Sequence, residues 1–240
     1  MTEVSALAQY GPDAAKLFGS MITPAAIMGG SMVPLGFGAT VPYNGSPEEG
    51  KVTMFLRRLY PFLALVTLSS QFLAVVWATV AVNQLTETKV PLSESVWHLL
   101  TNEYALEWAA VNTHFVVGML GFMSTLATKL YFLGNKGIVG PPLAAFAGSV
   151  TMFMVSIINR GVASGGGQAA SSGDILRFGG SVLALFRQYF CLLLKRACSR
   201  STFGPLELIA VTTMFGSIVA TIRNILISIE KDCADKTKQA

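Results

Sequence analysis

Charge is what this chain has least of. Asp, Glu, Lys and Arg together make up 12% of its 240 residues, against roughly a quarter in an ordinary soluble domain. So few charged side chains cannot solvate the surface of a globule this long, and the 52% hydrophobic content excludes intrinsic disorder for the opposite reason. Cysteine is nearly as scarce. Cys191, Cys198 and Cys233 form no CxxC pair and no disulfide framework. Histidine occurs only at His98 and His114, neither with an activated nucleophile in a recognisable motif, so no Ser-His-acid triad is expected, and Glu94 with His98 gives two ligands where a metal site needs more. The first residues hold Glu3 and no basic region followed by an apolar one, so no secretory leader is expected. Residue two is Thr2 and not glycine, so N-myristoylation is excluded.

What the chain has instead is long apolar runs. A mean hydropathy of +0.56 and charge-free stretches of about the 20 residues needed to cross a hydrocarbon core point to an all-α, multi-pass transmembrane helical bundle. The net charge of +4 belongs to Lys and Arg at span ends and not to a nucleic-acid surface. The partners this implies are the lipid bilayer and other membrane subunits or further copies of the chain, with no nucleic acid.

Two regions follow from the pattern. Residues 1–50 form a Gly/Pro-rich N-terminal segment, expected to be partly membrane-associated. Between 18 and 47 it has no Asp, Glu, Lys or Arg, but Pro24, Gly29, Gly30, Pro34, Gly36, Gly38 and Pro42 make a straight span doubtful. Asn44-Gly45-Ser46 there matches a glycosylation sequon, followed by Pro47. Residues 51–240 form the bundle, with spans expected at about 61–83, 108–131, 139–158 and 206–227. Pro61 suits an early helical position. Residues 159–173 read as a Gly/Ser-rich linker.

Residues 175–194 form a basic amphipathic helix. Arg177, Gly180, Ser181, Ala184, Arg187, Gln188 and Cys191 recur along it at steps that are mostly three and four, drawing one polar stripe on a helix otherwise rich in Leu, Val and Phe. Such a helix either spans, with the stripe turned into the bundle, or lies in the interface facing headgroups, so the span count is four or five. Arg57 and Arg58 before the first secure span, an acid-rich loop after it, and Lys129 after the next place the N-terminus on the cytosolic side by positive-inside logic.

Polar groups in the apolar stretches are the candidates for function. Glu103, Glu107, Val111, His114 and Gly118 recur at steps of three and four, with Asn112 on an adjoining face. The carboxylates would stand at an outer mouth, with the imidazole about 10 Å deeper. His114 is an intramembrane ionisable group, which implies a proton relay, an ion contact or a pH sensor, or else a hydrogen bond to Gln71, Asn83 or a backbone carbonyl that orders the bundle. Gln71 continues a small-residue stripe of Thr67, Ala74 and Ala78 and reads as packing. Arg187, inside an apolar stretch, needs water, an acid or a headgroup, and no Asp or Glu lies deep in any span to supply one. In the final span, Thr212, Gly216 and Ala220 give small-xxx-small spacing.

The basic segment ahead of the first secure span, the LSSQFLAVV stretch within it and a histidine in the next span resemble, over that short match, store-operated calcium-channel subunits. An acidic residue forming such a channel's selectivity ring has no counterpart among residues 72–84, so no family follows. No motif implies an enzyme, a metal or a cofactor. The expected role is a non-enzymatic structural, accessory or scaffold subunit. The alternative is an ion channel or a small-solute or proton transporter, with Glu103, Glu107, Asn112 and His114 lining an outer vestibule and Arg187 facing a pathway.

Overall fold

The computed structural model describes residues 8–38, 51–87, 90–133, 139–164, 182–198 and 205–239, and these are almost entirely helical. The sequon at Asn44, most of the Gly/Ser-rich linker and residues 175–181 of the basic helix lie outside the described residues. Helix α1 (Gly11–Met32) continues through a π-helical turn, Val33–Phe37. Then come α2 (Lys51–Glu87), the short α3 (Val96–Asn102), α4 (Ala105–Leu133), α5 (Gly140–Ser164), α6 (Val182–Cys198) and α7 (Pro205–Gln239). Five segments are long and apolar enough to cross a membrane: Gly11–Phe37, Lys51–Glu87, Ala105–Leu133, Gly140–Ile158 and Ile209–Glu230. The chain is thus an all-α bundle of multi-pass type.

The first of those segments differs from expectation. Its glycines and prolines do not break the helix. Pro24 lies inside the length of α1, on its exposed side. Helix α2 likewise begins ten residues before Pro61 and carries it inside, and α5 runs on to Ser164, into the stretch expected to be linker.

Helix α1 runs antiparallel to α2. At one end Ala8 and Ser93 exchange backbone hydrogen bonds of 3.0 and 3.1 Å, and a Cβ on Gly11 would touch Val90 and the Leu85 carbonyl. At the other end the Leu35 carbonyl, in the π-helical turn, accepts from the Tyr60 hydroxyl and, at 3.1 Å, from the Lys129 ammonium. A cation there also suits the negative end of the helix dipole. The Arg57 guanidinium lies 5.7 Å from the Phe132 ring centroid at the same end. Residues 8–10 therefore sit with the 90–104 segment, opposite Arg57 and Lys129. An additional apolar helix, α1, thus precedes the first secure span and runs between these two ends.

Helix α4 is the central element, buried on most of its circumference and packed against α1, α2, α3, α5 and α6. Its seam with α2 is close. A Cβ on Gly118 would lie 2.2 Å from Gln71 Nε2, and one on Gly121 would lie 2.1 Å from Thr67 Oγ1. Small residues let two backbones approach, which drives helix association where lipid tails are as apolar as leucine. Gln71, Thr67, Ala74 and Ala78 are all buried, as a packing stripe requires. Aromatic side chains close the Glu107 end: Trp108 meets Phe18 and Trp97 edge to face, with centroids 5.5 and 6.1 Å apart. By contrast, α7 buries only Ile225 and Ile229 among its described side chains, and Gly216 and Ala220 face outward with nothing packed on them.

Candidate functional site

The polar residues of interest converge where α6 lies along α4. The backbone pattern of α6 sends Val182, Leu185, Phe186, Tyr189 and Leu192 to one face, and these close on Ala109, Val116 and Leu120 of α4 and Ile158 of α5. Two polar contacts are set into this apolar seam. His114 Nε2 and the Tyr189 hydroxyl are 2.9 Å apart, with the rings edge to face at 5.3 Å between centroids. Arg196 Nη1 donates to Glu107 Oε1 at 3.5 Å. A step of seven residues along α4, from Glu107 to His114, is matched by seven in the opposite sense along α6, from Arg196 to Tyr189. The two helices therefore run antiparallel in constant register, and α6 stands beside α4 rather than crossing it.

This geometry separates residues that the sequence groups together. Glu107 and His114 face α6. Val111 turns instead to the core formed with Phe18, Ala78 and Leu100, and Gly118 turns to Gln71. Seven residues separate the members of each pair, so one apparent face is two. Asn112 donates from Nδ2 to the Trp108 carbonyl at 2.8 Å, a bond within its own helix. Glu103 is exposed at the short break between α3 and α4. Arg187 is exposed on the side of α6 turned away from α4, together with Cys191 and Lys195.

His114 is 9% exposed and bonds to Tyr189, not to Gln71 or Asn83. Tyr189 was concealed in the sequence because it belongs to the apolar side of α6, opposite the polar stripe. The signal that finds it is the seven-residue step to Arg196, which matches the step from His114 to Glu107 on the facing helix. The imidazole accepts from or donates to the phenol according to its tautomer, so the contact needs no charged partner. Glu107 is the nearest carboxylate along the seam, and Arg196 occupies it.

Elsewhere, Ser95 caps α3 by accepting from the His98 backbone N–H at 3.1 Å, a common N-cap arrangement. The exposed His98 ring meets Asn102 at 2.9 Å. Among the described residues no group of three His, Cys, Asp or Glu side chains is placed to hold a metal ion.

Gln71 differs from these groups. It is fully buried, and neither its Nε2 nor its Oε1 has a hydrogen-bond partner. The amide is pressed between Gly118 of α4 and, on its Cβ side, Gly29 of α1, where a Cβ would stand 3.3 Å away. Thr113 Oγ1 of α4 is a second buried polar atom without a partner. Comparison with known proteins adds no relative: no protein-family model, curated protein or solved structure matches the chain.

Proposed function

We propose that the chain is an integral, multi-pass membrane protein that acts as a non-enzymatic structural or accessory subunit, holding a helical framework to which other membrane subunits pack. The observation that carries this reading is the His114–Tyr189 contact. The ionisable group most suited to a proton or ion pathway is spent on joining α6 to α4 within an apolar seam. Glu107 and Asn112 are likewise engaged, one with Arg196 and one with its own helix. Interhelical polar contacts of this kind contribute about 0.6 kcal/mol each in membrane bundles, which adds a bias in register to the apolar packing of the seam.

The outward faces of α5 and α7 fit the same role. Phe146, Met152 and Phe153 on α5 and Ile209, Phe215 and Val219 on α7 are more than half exposed, a surface suited to lipid or to another membrane helix. Positive-inside logic, applied to Arg57, Arg58 and Lys129 at one end of the bundle, assigns that end to the cytosol and residues 8–10 to the opposite side.

The test is flux through purified protein in liposomes. A packed subunit should carry no ion or proton current from about pH 5 to 8, the range in which histidine titrates, and His114→Ala should lower stability alone. A conductance whose pH dependence disappears in His114→Ala would overturn this reading in favour of a channel or transporter.

A further inference from the structure

The register of α6 on α4 fixes the depth of Arg187. With Tyr189 opposite His114 and Arg196 opposite Glu107, Arg187 stands level with Val116. The run of α4 free of Asp, Glu, Lys and Arg is residues 108–128, about 31 Å long at 1.5 Å per residue, which matches a hydrocarbon core of about 30 Å. Val116 is two residues from its midpoint. Arg187 is therefore within about 3 Å of the mid-plane of the bundle, and it is exposed on the outer side of α6.

Its surroundings on that side are mixed. Leu183 and Phe190, one turn to either side, and Leu194, two turns on, are 77%, 51% and 49% exposed, and Cys191 and Lys195 are exposed on the same side, so large apolar side chains flank the guanidinium within a polar stripe. Among the described residues Arg187 has no hydrogen-bond or ion-pair partner. Headgroup phosphates are remote. The Glu107 level is about 13 Å away and the Lys129 level about 20 Å away, both farther than an arginine side chain extends. The Cα–Cβ bond of a helical residue also tilts toward the helix N-terminus, which in α6 leads away from the nearer Glu107 end. A second copy cannot neutralise the charge at this depth either. In the candidate spans Asp13, Glu87, Glu107 and Glu230 all lie at or near the ends.

A guanidinium at the centre of a bilayer costs at least about 2.5 kcal/mol when unpaired, and an opposite charge on another spanning helix would offset this cost at mid-depth. We propose that Arg187 is the docking point for a different membrane protein, through an Asp or Glu at the middle of one of that partner's transmembrane helices. The site is the outer face of α6, with Leu183, Phe190 and Leu194 as the apolar surround that excludes lipid and water from the pair. The inference rests on the subunit role above and specifies the chemistry of the partner.

The probe is a synthetic transmembrane peptide of Leu and Ala carrying one central Asp, compared with the same peptide carrying Leu instead. The full-length chain, with Cys191, Cys198 and Cys233 changed to serine and a donor fluorophore on Glu103→Cys, which is exposed and away from the outer face of α6, is reconstituted with acceptor-labelled peptide in zwitterionic vesicles, and association is read as energy transfer. The Asp peptide is expected to associate about tenfold more tightly than the Leu peptide, in line with polar contacts between membrane helices. Arg187→Leu should remove that preference with the thermal midpoint unchanged, and Arg187→Lys should keep part of it. Equal association of the two peptides, or a preference that survives in Arg187→Leu, overturns the proposal. So does a preference present in zwitterionic vesicles but lost when anionic lipid is added, because a headgroup then satisfies the arginine. Ion flux measured in the same vesicles separates the two ideas: a current sinks the subunit role, whereas the Asp preference is read independently of it.

Discussion

Gly118 and Gln71 meet in the close seam between α4 and α2, and a double-mutant cycle between them probes how closely the two helices are packed. A methyl at position 118 would lie 2.2, 2.6 and 2.9 Å from Gln71 Nε2, Cδ and Cγ, where carbon contacts need about 3.5 Å. Gln71 cannot swing aside cheaply, because it is fully buried and its Cβ side faces Gly29 of α1. Gly118→Ala should therefore destabilise by about 1–3 kcal/mol, the usual cost of overpacking. Gln71→Ala removes a side chain of methionine size, worth about 2–5 kcal/mol as a cavity. It also removes two buried polar atoms without partners, which returns about 1–3 kcal/mol for each, so the two effects largely cancel and its net cost should be small. In the double variant the methyl added at position 118 enters the space left by the amide, and the two losses should fall short of their sum by at least about 1 kcal/mol. The assay is reversible unfolding in mixed lipid–detergent micelles. A Gly118→Ala variant as stable as the parent, or losses that add within about 0.5 kcal/mol, would show that the seam is looser than these distances require.

Three further outcomes follow from the geometry. Tyr189→Phe keeps the ring contact with His114 and deletes the hydroxyl, so it should cost about 0.6 kcal/mol and at most about 1.7, with no further loss when His114→Phe is added, measured by the same unfolding assay. Glu107→Gln breaks an ion pair whose side chains are 14% and 32% exposed; a loss below about 1 kcal/mol in low salt should shrink in molar salt, as screening of a partly exposed pair demands. In a cysteine-free background, Gln9→Cys and Glu94→Cys should react with a membrane-impermeant thiol reagent from one side of sealed vesicles and Lys51→Cys from the other, because α1 crosses between them; labelling of Gln9→Cys with Lys51→Cys would show that it does not.

The helices that run through lipid-like stretches were legible because their signal is the absence of charge over about 20 residues, and residues 61–83, 108–131, 139–158 and 206–227 all fall within or largely within long helices of the structure. Helix α1 was obscured by the features that let it pack. Gly29 approaches Gln71 and Gly36 approaches Ala64, so glycines that read as breakers are contact points, and Pro24 lies on the exposed side of the continuing helix. The packing role of Gln71 could be read from its spacing with Thr67, Ala74 and Ala78. Its lack of a hydrogen-bond partner could not, because that depends on which face of α4 carries Gly118. In α6 the periodicity drew the polar stripe but not the direction in which it points, and the contact with α4 is made by the opposite side, through Leu185 and Tyr189. His114 stood out in the sequence as an ionisable group in an apolar stretch, and it is buried in the fold. Its partner lies 75 residues away in sequence, and no local pattern joins them.

Everything proposed for the chain depends on His114 lying in a packed seam and not beside a water-filled path. The decisive experiment is reaction of His114→Cys with a small cationic thiol reagent, in vesicles of the otherwise cysteine-free protein, with the exposed Glu103→Cys as the reference. In a packed seam the cysteine at 114 stays unmodified while the one at 103 reacts. Modification at 114 at a rate within about tenfold of that at 103 would instead place water and ions at the seam, as in a conducting pathway.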